Sequence, residues 1–217
     1  MEKREQKFKS INRILIVASI LFAIGMAIYN MFYSTPYYIM LSLCTLPMIC
    51  IPFLAYWFLR LKPVPSLTFA ALVFILLAYG VGMVLDGFHT IPLYDKVVHL
   101  LSGVFFALIG LLVFYLLKKD KKIAPSDWPG AVYCCISFAA LSAILWEILE
   151  FILNLILKND AQNVLTTGVN DTMLDMIACL IGAILLSISV IVYYRKGKKG
   201  ILVGVFTSFY QENFLNK

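Results

Sequence analysis

The chain has 217 residues, 62% of them hydrophobic and 14% charged, with a formal net charge of +6 and a mean hydropathy of +0.90. A soluble domain of this length covers itself with polar side chains, and this composition cannot supply that cover. The excess of basic residues does not indicate nucleic acid, because those residues are confined to loops and tails, where they report membrane topology and attraction to anionic headgroups.

The first 13 residues, MEKREQKFKSINR, form a basic juxtamembrane arm with Lys3, Arg4, Lys7, Lys9 and Arg13. Six apolar segments follow, each about 20 residues or longer, the length that crosses a hydrocarbon core of about 30 Å. They are predicted at residues 14–33, 37–59, 67–85, 95–117, 128–157 and 171–194. The first is too long for the apolar part of a signal peptide and is expected to stay as an anchor. The second contains Pro47 and Pro52, whose missing N–H groups predict a kink. The fifth is longer than a perpendicular crossing needs, so tilt absorbs the excess. The fold class is therefore all-α: a six-helix membrane bundle over 14–194, preceded by the arm and followed by a tail, 195–217, whose apolar end has no assignment.

Orientation follows the distribution of Lys and Arg. The arm holds five, the 60–62 loop two (Arg60, Lys62), the 118–122 tract four and the tail five, whereas the three alternate connections share only Lys96 and Lys158. Both termini are expected in the cytoplasm. The five cysteines (Cys44, Cys50, Cys134, Cys135, Cys179) all lie in apolar segments and none has CxxC spacing, so they read as small buried hydrophobes rather than zinc or disulfide positions.

Acidic residues inside the spans are the exception that points to function, since ionised groups there are costly. Glu147 and Glu150 stand in SAILWEILEFILN, His99 in YDKVVHLLSG and Asp175 in NDTMLDMIACLIG. Counting at 1.5 Å per residue places His99 about 5 Å below the outer boundary, with Asp175 and Glu147 at a similar depth. Asp95, Glu150 and Asp171 form a second layer nearer water, and Asp86 and His89 sit at the same face. Asp95/His99 and Asp171/Asp175 are i,i+4 pairs; Glu147/Glu150 are i,i+3, and Asn154 extends their face. Gly103, Ala107 and Gly110 continue the His99 stripe, and Ala178 and Gly182 that of Asp175, so these helices can approach closely.

Several carboxylates around one histidine require either raised pKa values or a compensating cation. Oxygen ligands with one imidazole suit Mg, Mn or Zn. The candidate metal ligands are Asp95, His99, Glu147 and Asp175; Glu147 and His99 are the candidate acid–base pair. Glu150, Asp171, Asn154 and Asp86 are supporting candidates. Simpler roles compete. Asp95, Asp171 and Asp175 suit the first turns of helices, and Asp86 with His89 suits an interfacial loop. Ser102 lies near His99 in sequence, but no Ser-His-Asp set follows from the spacing.

The stretches YDKVVHLLSG, WEILEF and NDTMLDMIACLIGA resemble the YjdF-like family of bacterial inner-membrane proteins, over about residues 86–190. The order DKxxH, acidic helix, Asp-rich start of the last span is more loosely similar to VanZ-type membrane proteins, a family linked to glycopeptide resistance. Glu150 stands where that pattern has glutamine, and Ala178 where it has asparagine. The YjdF-like family implies the site without implying a reaction. Two function classes fit the residues: a catalytic or metal site at the outer face acting on a lipid or lipid-linked envelope substrate, and a proton- or cation-coupled transporter, which a homo-oligomer could complete. A non-enzymatic envelope factor with a purely structural polar cluster is the third.

Overall fold

The structure, a computed structural model, describes residues 2–157, 162 and 164–215. Lys158, counted above for topology, and Lys217 of the tail lie outside the described residues. Every element among the described residues is helical, and six helices are long and apolar enough to cross a membrane. Their surfaces carry many exposed apolar side chains, Phe32, Trp57, Phe58 and Tyr133 among them, as expected where lipid replaces water. The chain forms two compact units, one running to Tyr94 and including the tail from Thr207, the other Asp95–Phe206.

In the first unit, α1 (Glu2–Tyr33) takes the basic arm into its own first turns. At 1.5 Å per residue its 32 residues reach about 48 Å, well beyond the hydrocarbon thickness. α2 (Pro36–Phe58) opens on proline at its first position and continues past Pro47 and Pro52. The small residues Ala23 and Ala27 are buried, and Asn30 donates to Ser42 Oγ at 3.0 Å and to the Tyr38 carbonyl at 3.3 Å.

α3 (Pro65–Val84) is α-helical to Ile75 and π-helical from Leu76. The wider turns contain Gly80 and Gly82, and a Cβ on Gly82 would stand 2.5 Å from the Phe88 ring. Tyr94 Oη donates to the Leu77 carbonyl at 2.8 Å within the π stretch. Such stretches re-aim backbone carbonyls that a regular helix would consume internally.

The last part of the chain is structured too. Ile201–Tyr210 forms α7, continued by a π turn over Gln211–Leu215. In the first unit Ser208, Phe209 and Asn213 are buried. Ser208 Oγ receives a bond from Arg4 at 2.7 Å and donates to Glu5 at 2.8 Å, while Glu5 also accepts from the Ser66 backbone N–H at 2.9 Å, at the start of α3. Asn213 accepts from the Lys62 N–H at 2.7 Å and donates to the Lys62 carbonyl at 3.2 Å. Replacing Asn213 by alanine removes both bonds to that backbone. A loss of about 1–3 kcal/mol is expected, read as faster chymotrypsin cleavage at Phe209, Tyr210 or Phe214 of the tail; unchanged cleavage kinetics would contradict this account.

The second unit contains α4 (Tyr94–Leu117), α5 (Trp128–Leu157), α6 (Asn170–Lys196) and the first half of α7. Glycine decides how these helices meet. A Cβ on Gly103 would lie 1.8 Å from the Cys179 carbonyl oxygen, one on Gly182 2.0 Å from the Leu100 oxygen, and one on Gly110 2.4 Å from the Cys134 oxygen. α4 therefore touches α6 at two levels and α5 at a third, backbone against backbone, as small residues permit in lipid. Ala107, Ala139 and Ala183 are fully buried between them. Phe206 of α7 packs on Tyr115 and Tyr193 with ring centroids 5.3 Å and 6.2 Å away. At the same end Lys118, just past α4, donates to both oxygens of Asp127, and that bond holds its ammonium above the usual lysine range.

Candidate functional site

The site lies in the second unit, where α4 and α6 begin. Asp95 is in the first turn of α4, a position the helix dipole favours for an acid, and His99 follows one turn later. Asp171 is in the first turn of α6 and Asp175 one turn on. The i,i+4 spacing aligns each pair on one face, and the glycine contacts hold the two faces together.

At the centre is Lys96. Its Nζ donates to Asp171 Oδ1 at 2.6 Å, to Asp175 Oδ1 and Oδ2 at 2.7 Å and 2.8 Å, and to Asp95 Oδ2 at 3.0 Å. Asp175 is 2% exposed, and the Lys96 side chain keeps 24% of its surface open. His99 is buried, with Nε2 3.5 Å from Asp95 Oδ1 and 3.7 Å from Asp175 Oδ1. These are ion-pair separations rather than short hydrogen bonds. Single ligand atoms of Asp95, His99 and Asp175 all lie within 4.8 Å of one another, so among the described residues these three could hold a metal ion.

Glu147 reaches the same region from α5, within electrostatic range of His99 and Asp95. It is 6% exposed, and neither carboxyl oxygen makes a close, well-aligned hydrogen bond among the described residues, the Thr172 hydroxyl and Gln162 amide being the donors beside it. Its backbone carbonyl accepts from Gln162 Nε2 at 3.2 Å, and the same amide approaches Thr172 Oγ1 on α6 at 3.4 Å. Asn154, a supporting candidate, donates to Gln162 Oε1 at 3.4 Å. Gln162, buried in the α5–α6 connection, thus ties α5 to α6 beside the acid.

The other candidates have partners of their own. Glu150 accepts from its own helix neighbour Trp146 Nε1 at 2.7 Å and stays within electrostatic range of Glu147, His99 and Asp95. Asp86 has a left-handed backbone (φ 57°) and pairs with His89 Nδ1 at 2.6 Å in an exposed one-turn helix. Asp171 does not occupy the cap of α6; Val169 does, without a side-chain bond, and the Asp171 carboxylate goes to Lys96 instead. Ser102 donates to the His99 carbonyl at 2.7 Å, which satisfies it locally.

Sequence reasoning passed over Lys96 and Gln162. Lys96 carried a signal: it is one of only two basic residues on a face otherwise cleared of them, so its retention asked for a local partner. Gln162 carried none, being one amide among several polar residues in a connection.

The family described as "Predicted membrane protein (DUF2238)" matches residues 11–196, which makes this chain a member of that family. An "Uncharacterized protein" of Thermotoga maritima is 31% identical over 116 residues, 53% of this chain. The match spans 55% of that relative's length. No solved structure matches.

Proposed function

We propose that this DUF2238-family membrane protein carries an acid–base site, with Glu147 and His99 holding and moving a proton on a lipid or lipid-linked envelope substrate at the outer face of the cell membrane. The observation that supports this most is Glu147. A buried carboxyl that makes no close hydrogen bond among the described residues is expensive to keep as an ion, which suits a group that takes up and releases a proton. Lys96 is saturated by Asp95, Asp171 and Asp175. The site therefore has one buried carboxyl outside the set of bonds that Lys96 makes, beside an imidazole oriented by two aspartates.

The outward placement rests on the Lys and Arg asymmetry, which also assigns the arm 1–13 and tail 195–217 to the cytoplasm. The YjdF-like resemblance covers the stretches that build the site and agrees with the family membership. Coupled transport is the weaker reading, because beneath the site α4, α5 and α6 close on Gly103, Ala107, Ala139 and Ala183 with backbones in contact.

Glu147→Gln tests this. The variant is expected to accumulate in the membrane with an unchanged thermal midpoint, because the amide keeps the shape of the side chain and an acceptor oxygen for the neighbouring Thr172 and Gln162 donors. By mass spectrometry of envelope lipids, the wild-type gene should restore the profile of a deletion strain and Glu147→Gln should not. An unfolded variant would favour a structural role. A deletion strain with unaltered lipids, together with cation flux in proteoliposomes that Glu147→Gln abolishes, would favour transport.

A further inference from the structure

The cluster's charge balance depends on Lys96. An ammonium has three protons to donate, and here three separate carboxylates take them, at 2.6 Å (Asp171), 2.7 Å (Asp175) and 3.0 Å (Asp95). Asp175 Oδ1 is shared: it lies 2.7 Å from Lys96 Nζ and 3.7 Å from His99 Nε2. The compact set Asp95, His99 and Asp175, whose ligand atoms fall within 4.8 Å, has the donor types a divalent ion takes. Two of its three members are, however, already bonded to the ammonium. An ion bound by those oxygens would stand against a fixed positive charge in a poorly hydrated setting, where like charges repel strongly.

We propose that Lys96 is the site's built-in cation: its ammonium takes the place a divalent metal would occupy, neutralises Asp95, Asp171 and Asp175, and thereby positions the carboxylates that orient His99. Lys96 is a positioning residue. The site has no need of an exchangeable metal while Lys96 is present, and the lysine and the metal are mutually exclusive occupants of one carboxylate set. This inference rests on the Lys96 geometry and not on the acid–base reading, so it stands if the lipid experiment fails.

Metal binding to the full chain in detergent, after chelation and dialysis, tests it directly. Wild type, Lys96→Arg, Lys96→Met and Lys96→Gln are titrated with Mn²⁺, followed by the loss of the free-ion resonance, and with Zn²⁺, followed by elemental analysis. Wild type and Lys96→Arg should retain no stoichiometric metal. Lys96→Met should bind one equivalent at least about tenfold more tightly than wild type, and lose that gain when Asp175→Asn is added. Mn²⁺ should raise the thermal midpoint of Lys96→Met and leave that of wild type unmoved. If Lys96→Met does not fold, Lys96→Gln keeps a neutral donor among the carboxylates and should show the same gain. One tightly bound equivalent in wild type that Asp175→Asn removes would overturn the proposal. So would Lys96→Met and Lys96→Gln variants that bind metal no better than the parent.

Discussion

Gly103→Ala should lower the thermal midpoint of the detergent-solubilised protein by about 5–10 °C. The added methyl would sit 1.8 Å from the Cys179 carbonyl oxygen and 2.7 Å and 2.9 Å from its carbonyl and α carbons. All three are backbone atoms of α6, so no side-chain rotation relieves the overlap and the helices must separate. Overpacking costs about 1–3 kcal/mol, occasionally more, when neighbours can shift a little. Here an entire helix has to shift. A chain of this size loses about 2–4 °C per kcal/mol, which sets the expected range. Gly25→Ala is the control, because nothing lies within 4 Å of a Cβ there, and alanine favours a helix interior by about 1 kcal/mol. It should leave the midpoint unchanged or raise it. Equal midpoints for the two variants would show that the α4–α6 contact does not control stability.

Lys96→Met, measured in chelated buffer so that no ion substitutes for the ammonium, should destabilise the protein by about 3–5 kcal/mol, the range for stripping one partner from a buried ionic group. Three carboxylates would face one another with only His99 to compensate. Asp175→Asn alone should cost less, because Asp95 and Asp171 still hold the ammonium and the amide oxygen can still accept. The double variant should be more stable than the sum of the single effects predicts, since the second change removes part of the charge the first left unpaired. A four-protein cycle of thermal midpoints reads this coupling. Strict additivity would mean that the Lys96–Asp175 contact contributes nothing specific.

The six spans were legible because lipid imposes one rule on every span: each backbone group must be satisfied within a helix, so length and apolarity suffice. The grouping of His99 with Asp175 was legible for a related reason, because helix periodicity and depth are nearly fixed by counting residues. Counting could not say which cation the acids would find. The expectation considered only raised pKa values or a metal, while the charge that fills the place stands one residue from Asp95. A lysine side chain is long enough to leave its own helix, and sequence position does not reveal where its end goes. Glu150 shows the converse. It shares a face with Glu147 and lies within electrostatic range of His99 and Asp95, yet its hydrogen bond goes to the indole one turn back, a local pairing that spacing does not reveal. The apolar tail was unreadable as an isolated stretch, because its Val, Phe and Tyr gain meaning only against the helices they cover.

That tail also governs how the protein's topology can be measured. Phe209 is 1% exposed and Asn213 4%, and the bonds of Ser208 and Asn213 reach Arg4, Glu5 and the Lys62 backbone. A reporter enzyme joined after Lys196, where hydropathy alone would end the last span, would therefore be attached to a chain missing part of the first unit's interior. Its signal would describe that damaged product. Reporters placed after Lys217, or inserted in the 118–122 connection, leave these buried tail residues in place and give the orientation of a chain that retains them.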